Sequence, residues 1–155
     1  MKVFFKKLNH FDDSFSLPSF ESDQAAGADL RACFENKKGI SVEPWERVLI
    51  PTSLSMSFEA GYEVQVRPRS GLSFKTPLII PNSPGTIDSD YRGEIKVIIP
   101  NMSNCAYFIT HGDRIAQMFF SKVFRPNFIE IMELDVTNRG ENGFGSSGIN
   151  NGAMK

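Results

Sequence analysis

Val64 and Val66 alternate with Glu63, Gln65 and Arg67, the two-residue period of a strand with one dry and one wet face. Runs at 94–99, 106–109, 115–120 and 128–134 are likewise short and rich in Val, Ile, Phe and Tyr, with Gly, Pro, Asn or Asp at their borders. Short strands punctuated by turns predict an all-β sandwich or barrel. The apolar patch in MKVFFKKLNH has lysines on both sides and reads as a first strand, not as a signal peptide. One short helix is predicted after Arg69-Ser70-Gly71-Leu72. It ends before Pro77, because proline disfavours helical geometry in the residue preceding it. The compact pattern stops near Val136, dividing the chain into a β core over 1–136 and a glycine-rich arm over 137–155.

Composition narrows the chemistry. A chain of 155 residues with 41% hydrophobic content and 14 phenylalanines suits one globular domain with a sizeable core. Lys plus Arg number 17 against 18 Asp plus Glu, so the net charge of -1 offers no long-range attraction to nucleic acid or an anionic membrane. Any phosphate site must be local. No apolar run approaches the roughly 18 residues needed to span a bilayer. Cys33 and Cys105 fit no metal or redox spacing and read as reduced, partly buried thiols of a cytoplasmic protein. His10 and His111 form no short zinc motif, and the oxygen spacing of an EF-hand is missing. The P-loop and Rossmann fingerprints are absent as well.

Four polar segments interrupt the strand pattern. RGENGFGSSG (139–148) sets Arg139 and Phe144 among four glycines, which argues against helix or central strand. It is either a disordered tail or a mobile flap whose ring lies on a planar ligand while arginine, serines and backbone N–H groups hold an anion. PRSG (68–71) puts Arg69, Ser70 and Gly71 at a strand-to-helix junction, either as a plain turn or as a phosphate cradle. In GDRIAQ (112–117), Arg114 and Gln117 are three apart and face opposite ways unless the strand bulges. Asp113 there is open to a turn role or a functional one. In NSPGTIDSDYRGE (82–94), Pro84-Gly85 suits a hairpin reversal with Asn82 on one arm and Thr86-Ile87-Asp88 on the other. Such a tip can read the edge of a base, Asn82 adding a donor and an acceptor. Asp88 and Asp90 straddle Ser89 on nominally one strand face, where either could meet a metal or a water, or simply be solvated.

Taken in order, AGADL (26–30), PRSGL (68–72), GTIDSDYRGE (85–94), GDRIAQ (112–117) and RGENGFGSSG (139–148) resemble the five motifs of the trimeric dUTPases. The resemblance implies a jelly-roll-like β-barrel of the dUTPase, β-clip type, and a homotrimer with three composite sites. It further implies magnesium-dependent hydrolysis of dUTP to dUMP and pyrophosphate by water attack at the α-phosphorus. By position, Asp88 resembles the aspartate that activates that water, Tyr91 the tyrosine beneath the deoxyribose, and Asn82 the residue contacting uracil, beside Gly85, Thr86 and Ile87. Arg69, Ser70, Gly71 and Gln117 resemble phosphate-binding residues. Asp29 resembles the acid linked to the magnesium through water, the metal itself riding mainly on the substrate phosphates. Arg139, Phe144, Gly145, Ser146 and Ser147 resemble the arm that closes over the nucleotide. A glycine pair common in the family before the phenylalanine is Asn142-Gly143 here, and asparagine tolerates left-handed geometry better than most residues. Two relatives of the fold imply other activities: a dCTP deaminase or its bifunctional counterpart, and a catalytically silent nucleotide sensor or protein-binding module. The arm and the intact IDSDY segment favour simple dUTP hydrolysis over both.

Overall fold

Four antiparallel sheets carry the fold of the computed structural model, which describes residues 1–143. In chain order the strands are β1 (Val3–Lys7), β2 (Ala28–Arg31), β3 (Gly39–Val42), β4 (Arg47–Pro51), β5 (Leu54–Phe58) and β6 (Tyr62–Arg67). After the single helix α1 (Ser70–Lys75) come β7 (Gly85–Ile87), β8 (Lys96–Pro100), β9 (Tyr107–Thr110) and β10 (Arg114–Lys122). One sheet runs β2-β10-β6-β7, and β1-β5, β3-β9 and β4-β8 form pairs. The described residues are thus all-β with one short helix, as the pattern predicts. No helix among the described residues is long and apolar enough to cross a membrane.

Alternation decides which side chains face the core. In β2, Ala28 and Leu30 are buried while Asp29 and Arg31 point outward. In β10, Ile115 and Ala116 are buried in succession, because the register against β2 shifts between Arg114 and Ala116. That irregularity supplies the bulge on which the placing of Arg114 and Gln117 depends. Leu30, Val42, Ile50, Val64, Ile99 and Ile115 are fully buried in one apolar core.

Contacts divide the chain into Met1–Phe124, which holds every strand and the helix, and Arg125–Lys155. The run at 128–134, predicted as a strand, has no ladder partner: Phe128, Met132 and Leu134 are 94%, 103% and 81% exposed. A strand lacking a neighbour leaves its backbone groups unpaired, so β-rich composition alone does not make one. Of the two free thiols, Cys33 is buried but Cys105 is exposed, not partly buried.

Candidate active site

The reversal at Pro84-Gly85 is not a hairpin. β7 pairs with β6 (Val66 opposite Gly85, Val64 opposite Ile87), and residues 81–84 make turns and bends without a ladder to 85–88. A Cβ at Gly85 would lie 2.9 Å from Asn82 Nδ2, so the Asn82 amide would have to shift to admit one. Asn82, Gly85, Thr86, Ile87, Asp88 and Tyr91 all line one cavity of about 420 Å³.

Asp88 and Asp90 do not share a strand face. They stand in a turn closed by the Tyr91 N–H donating to the Asp88 carbonyl at 3.1 Å, and only Asp88 lines the cavity. Arg92 Nη1 donates to the carbonyls of Ser89 and Tyr91, each at 2.8 Å, bracing that turn. The Asp88 side chain is exposed, and among the described residues no ion pair occupies its carboxylate. It is free to accept a proton from a water. The Tyr91 ring folds back over Gly93, where a Cβ would collide with its hydroxyl, and that hydroxyl donates to the Glu94 carbonyl at 3.1 Å.

A second, shallower depression of about 210 Å³ is lined by Glu21, Gly27, Asp29, Arg69, Ser70, Gly71 and Gln117, among others. Asp29 organises it. Its Oδ1 accepts from Arg69 Nε at 2.8 Å, and its Oδ2 accepts from Arg114 Nη1 at 3.2 Å. Gln117 lies opposite Asp29 in the ladder, and its Nε2 donates to the Pro68 carbonyl at 2.8 Å. The bulge therefore brings both Arg114 and Gln117 to the Asp29 side. Gly71 leaves open space, since a Cβ there would meet nothing within 4 Å. With only six residues, α1 is too short for its dipole to matter much; the cationic character comes from the arginines. No described residue lines both cavities.

Arg139 lies in the second unit, its Nε donating to the Asn142 carbonyl at 2.8 Å. Phe144, Gly145, Ser146 and Ser147 lie outside the described residues. Leu49, Lys96 and Ile98 also line the larger cavity and lie outside the motifs, while Glu94, the last residue of GTIDSDYRGE, lines it without having been given a role. Glu94 and Lys96 were open to detection, because they flank Ile95 at strand spacing. Leu49 was not: it arrives by cross-strand pairing with Ile98.

Both histidines are structural bridges. His111 Nδ1 accepts the Phe34 N–H at 3.0 Å, so Nε2 bears the proton and donates to Asp12 Oδ2 at 3.2 Å. The backbone N–H and hydroxyl of Ser14, helped by Lys37 and His111, hold the Asp12 carboxyl well below the usual carboxylate range. Burial pushes the Cys33 thiol up.

The donor set fits magnesium in one way only. No group of three or more His, Cys, Asp or Glu gathers among the described residues, so the chain builds no all-protein cage there. Both Asp29 oxygens already face guanidinium groups, leaving lone pairs that suit a water of a hydrated ion better than direct coordination.

The dUTPase family profile matches residues 13–148. The deoxyuridine 5′-triphosphate nucleotidohydrolase of Nautilia profundicola is 47% identical over 148 residues, covering 96% of this chain and 99% of that one. Its counterpart in Fusobacterium nucleatum is 47% identical over 137 residues, covering 88% and 92%. Among solved structures, the Staphylococcus bacteriophage 80alpha dUTPase with dUPNHPP superposes with a TM-score of 0.83 at 27% identity, covering 96% of this chain and 99% of that one.

Proposed function

The chain belongs to the dUTPase family, and from that premise we infer that it hydrolyses dUTP to dUMP and pyrophosphate with magnesium. The observation that carries this reading at the residue level is Asp88, a carboxylate with no ion-pair partner among the described residues, on the wall of a cavity it shares with Asn82 and Tyr91. That cavity suits a base and a sugar, with a general base at its edge.

In this mechanism water attacks the α-phosphorus in line with the departing pyrophosphate, and Asp88 accepts its proton as the phosphorus–oxygen bond to pyrophosphate breaks. Arg69, Ser70, Gly71 and Gln117 bind the phosphates, with Arg69 aimed by Asp29. Asp29 would hold magnesium through a water, most of its ligands coming from the substrate phosphates, and the ion would supply neutralisation of developing charge. Asn82 and the backbone of Gly85, Thr86 and Ile87 match the uracil edge, whereas the amino group of cytosine would meet donors where an acceptor is needed. Tyr91 packs beneath the deoxyribose and leaves no room for a 2′-hydroxyl. Arg139, Phe144, Gly145, Ser146 and Ser147 form the arm, from the segment beginning at 137, that closes over the nucleotide. The family match extending to residue 148 supports including them.

The active assembly in this reading is a homotrimer of jelly-roll barrels with composite sites. Two observations support it. The base-and-sugar cavity and the phosphate depression have separate linings, which a second copy can complement. Phe124, Phe128, Ile129, Met132, Leu134 and Val136 are each more than 80% exposed, an apolar density that a neighbouring chain would cover.

Incubation with magnesium and dUTP tests the reading. The expected products are dUMP and pyrophosphate. Release of ammonia from dCTP would instead identify a deaminase, and nucleotide binding without turnover a sensor.

A further inference from the structure

We propose that Glu94 is a positioning residue for Tyr91, and through it for rejection of a ribose 2′-hydroxyl. The second half rests on the function inferred above, in which Tyr91 lies beneath the sugar.

Tyr91 is 46% exposed, so packing alone does not hold its ring. Its fixed point is the hydrogen bond from its hydroxyl to the Glu94 carbonyl. The position of that carbonyl is set from the far side. Glu94 Oε1 accepts the Ser53 N–H at 2.9 Å and faces His10 Nε2 at 3.3 Å, while Oε2 faces Lys96 Nζ at 3.3 Å. The carboxylate is only 13% exposed, which makes these contacts hard for water to replace.

The anchor itself is buried and hydrogen-bonded. Ser53 is fully buried in the two-residue link between β4 and β5 and has φ +56, a left-handed geometry unusual for serine. Its carbonyl accepts the Leu8 N–H at 2.9 Å, tying the link to the N-terminal segment. The next peptide along from Glu94 is held by the same link. Ile95 N–H donates to the Leu54 carbonyl at 2.8 Å, and Thr52 Oγ1 donates to the Ile95 carbonyl at 2.7 Å. Residues 94–95 are thereby clamped on 52–54, and Gly93 gives the Tyr91 ring space to reach back to the clamp.

Two variants separate the parts of this device. Glu94→Gln keeps an acceptor for the Ser53 N–H, and Glu94→Ala removes it. The first readout is NMR of ring-labelled tyrosine in nucleotide-free protein, with Tyr91 assigned through Tyr91→Phe. The Tyr91 signal is expected to move to that of a freely rotating exposed ring in Glu94→Ala and to stay near native in Glu94→Gln. Unchanged Tyr62 and Tyr107 signals report an intact fold. The second readout is kcat/KM for dUTP over that for UTP, expected to fall roughly tenfold in Glu94→Ala and to be rescued in Glu94→Gln. An unmoved Tyr91 signal in Glu94→Ala overturns the positioning role, whatever the enzyme turns over. A loosened ring with unchanged selectivity overturns the specificity role. Wild-type protein that does not prefer dUTP over UTP counts against the inferred function, while the Tyr91 signal still decides the positioning. Should Glu94→Ala lose the Tyr62 and Tyr107 signals, Glu94→Asp, which keeps the charge but is too short to reach Ser53 N–H, is held to the same outcomes.

Discussion

Asp29 Oδ1 accepts the Nε–H of Arg69 at 2.8 Å, from a carboxylate only 10% exposed. Arg114 meets the other oxygen at 3.2 Å, so one carboxylate holds two guanidinium groups, of which Arg69 lines the depression proposed to take the phosphates. Asp29→Asn keeps the shape and removes the charge. Hydrogen bonds to charged groups contribute about 1.5–3 kcal/mol, so affinity for a non-hydrolysable dUTP analogue is expected to fall by roughly tenfold or more. Affinity for dUMP, which lacks the β- and γ-phosphates, should change far less. Calorimetric titration of both ligands checks this, and an equal loss for the two would remove Asp29 from the phosphate side.

Asp88→Asn addresses the chemical step. The amide is nearly isosteric but cannot take a proton from water, and general-base contributions are about 10²–10⁴-fold. Turnover should drop within that range while nucleotide affinity and melting temperature hold. Because the Asp88 side chain is exposed and enters no ion pair among the described residues, its replacement removes none of the ion pairs seen there. Near-native kcat in the variant would assign the base role elsewhere.

The β character was legible because alternation is local: the run at 62–67 became β6 with the bounds its pattern suggests. The helix after Arg69 was legible too, from Pro77 and the junction residues. Relations between distant segments were not. Neither the pairing of β7 with β6 nor the seating of residues 94–95 on 52–54 leaves any mark on local periodicity. The GDRIAQ motif signals the bulge only as a conditional, and the shift between Arg114 and Ala116 resolves it. The 128–134 run misled for the complementary reason: its residue types favour strand, but strand formation depends on a neighbour.

Asp12 gives a prediction about pH. Its carboxyl is held below its ordinary value of 3.8, first by the Ser14 N–H and then by the Ser14 hydroxyl, Lys37 and His111. A depressed folded-state pKa contributes stability that is present above the unfolded value and lost as pH falls through the folded one. Asp12→Asn should therefore melt below wild type at neutral pH, and the gap should narrow below about pH 4. Thermal melts of both proteins across pH 2–7 check this. A gap that widens on acidification would reverse the sign of the argument.

Composite sites predict that activity depends on protein concentration. If separate chains supply the base-and-sugar cavity and the phosphate depression, specific activity should fall on dilution below the assembly constant. Light scattering run beside the assay decides it. A monomer with full specific activity would defeat the trimeric site and leave the chemistry at Asp88 untouched.

The C-terminal segment gives the last prediction. The ten strands and the helix of the described residues lie within Met1–Phe124, so removal of residues 139–155 should leave the β core folded and the melting transition close to native. Turnover should nevertheless fall severely, because in the proposed mechanism the cut takes away Arg139 as a phosphate cation and Phe144 as a stacking ring together. Stacking of an aromatic side chain on a base contributes about 1–3 kcal/mol, so Phe144→Ala alone should lose about 5- to 150-fold in kcat/KM. The truncation should lose more, since charge neutralisation and exclusion of bulk water disappear with it. Steady-state assays of wild type, Phe144→Ala and the truncated chain order the three. Normal turnover by the truncated chain would confine the active machinery to residues 1–138 and leave the arm without a catalytic role.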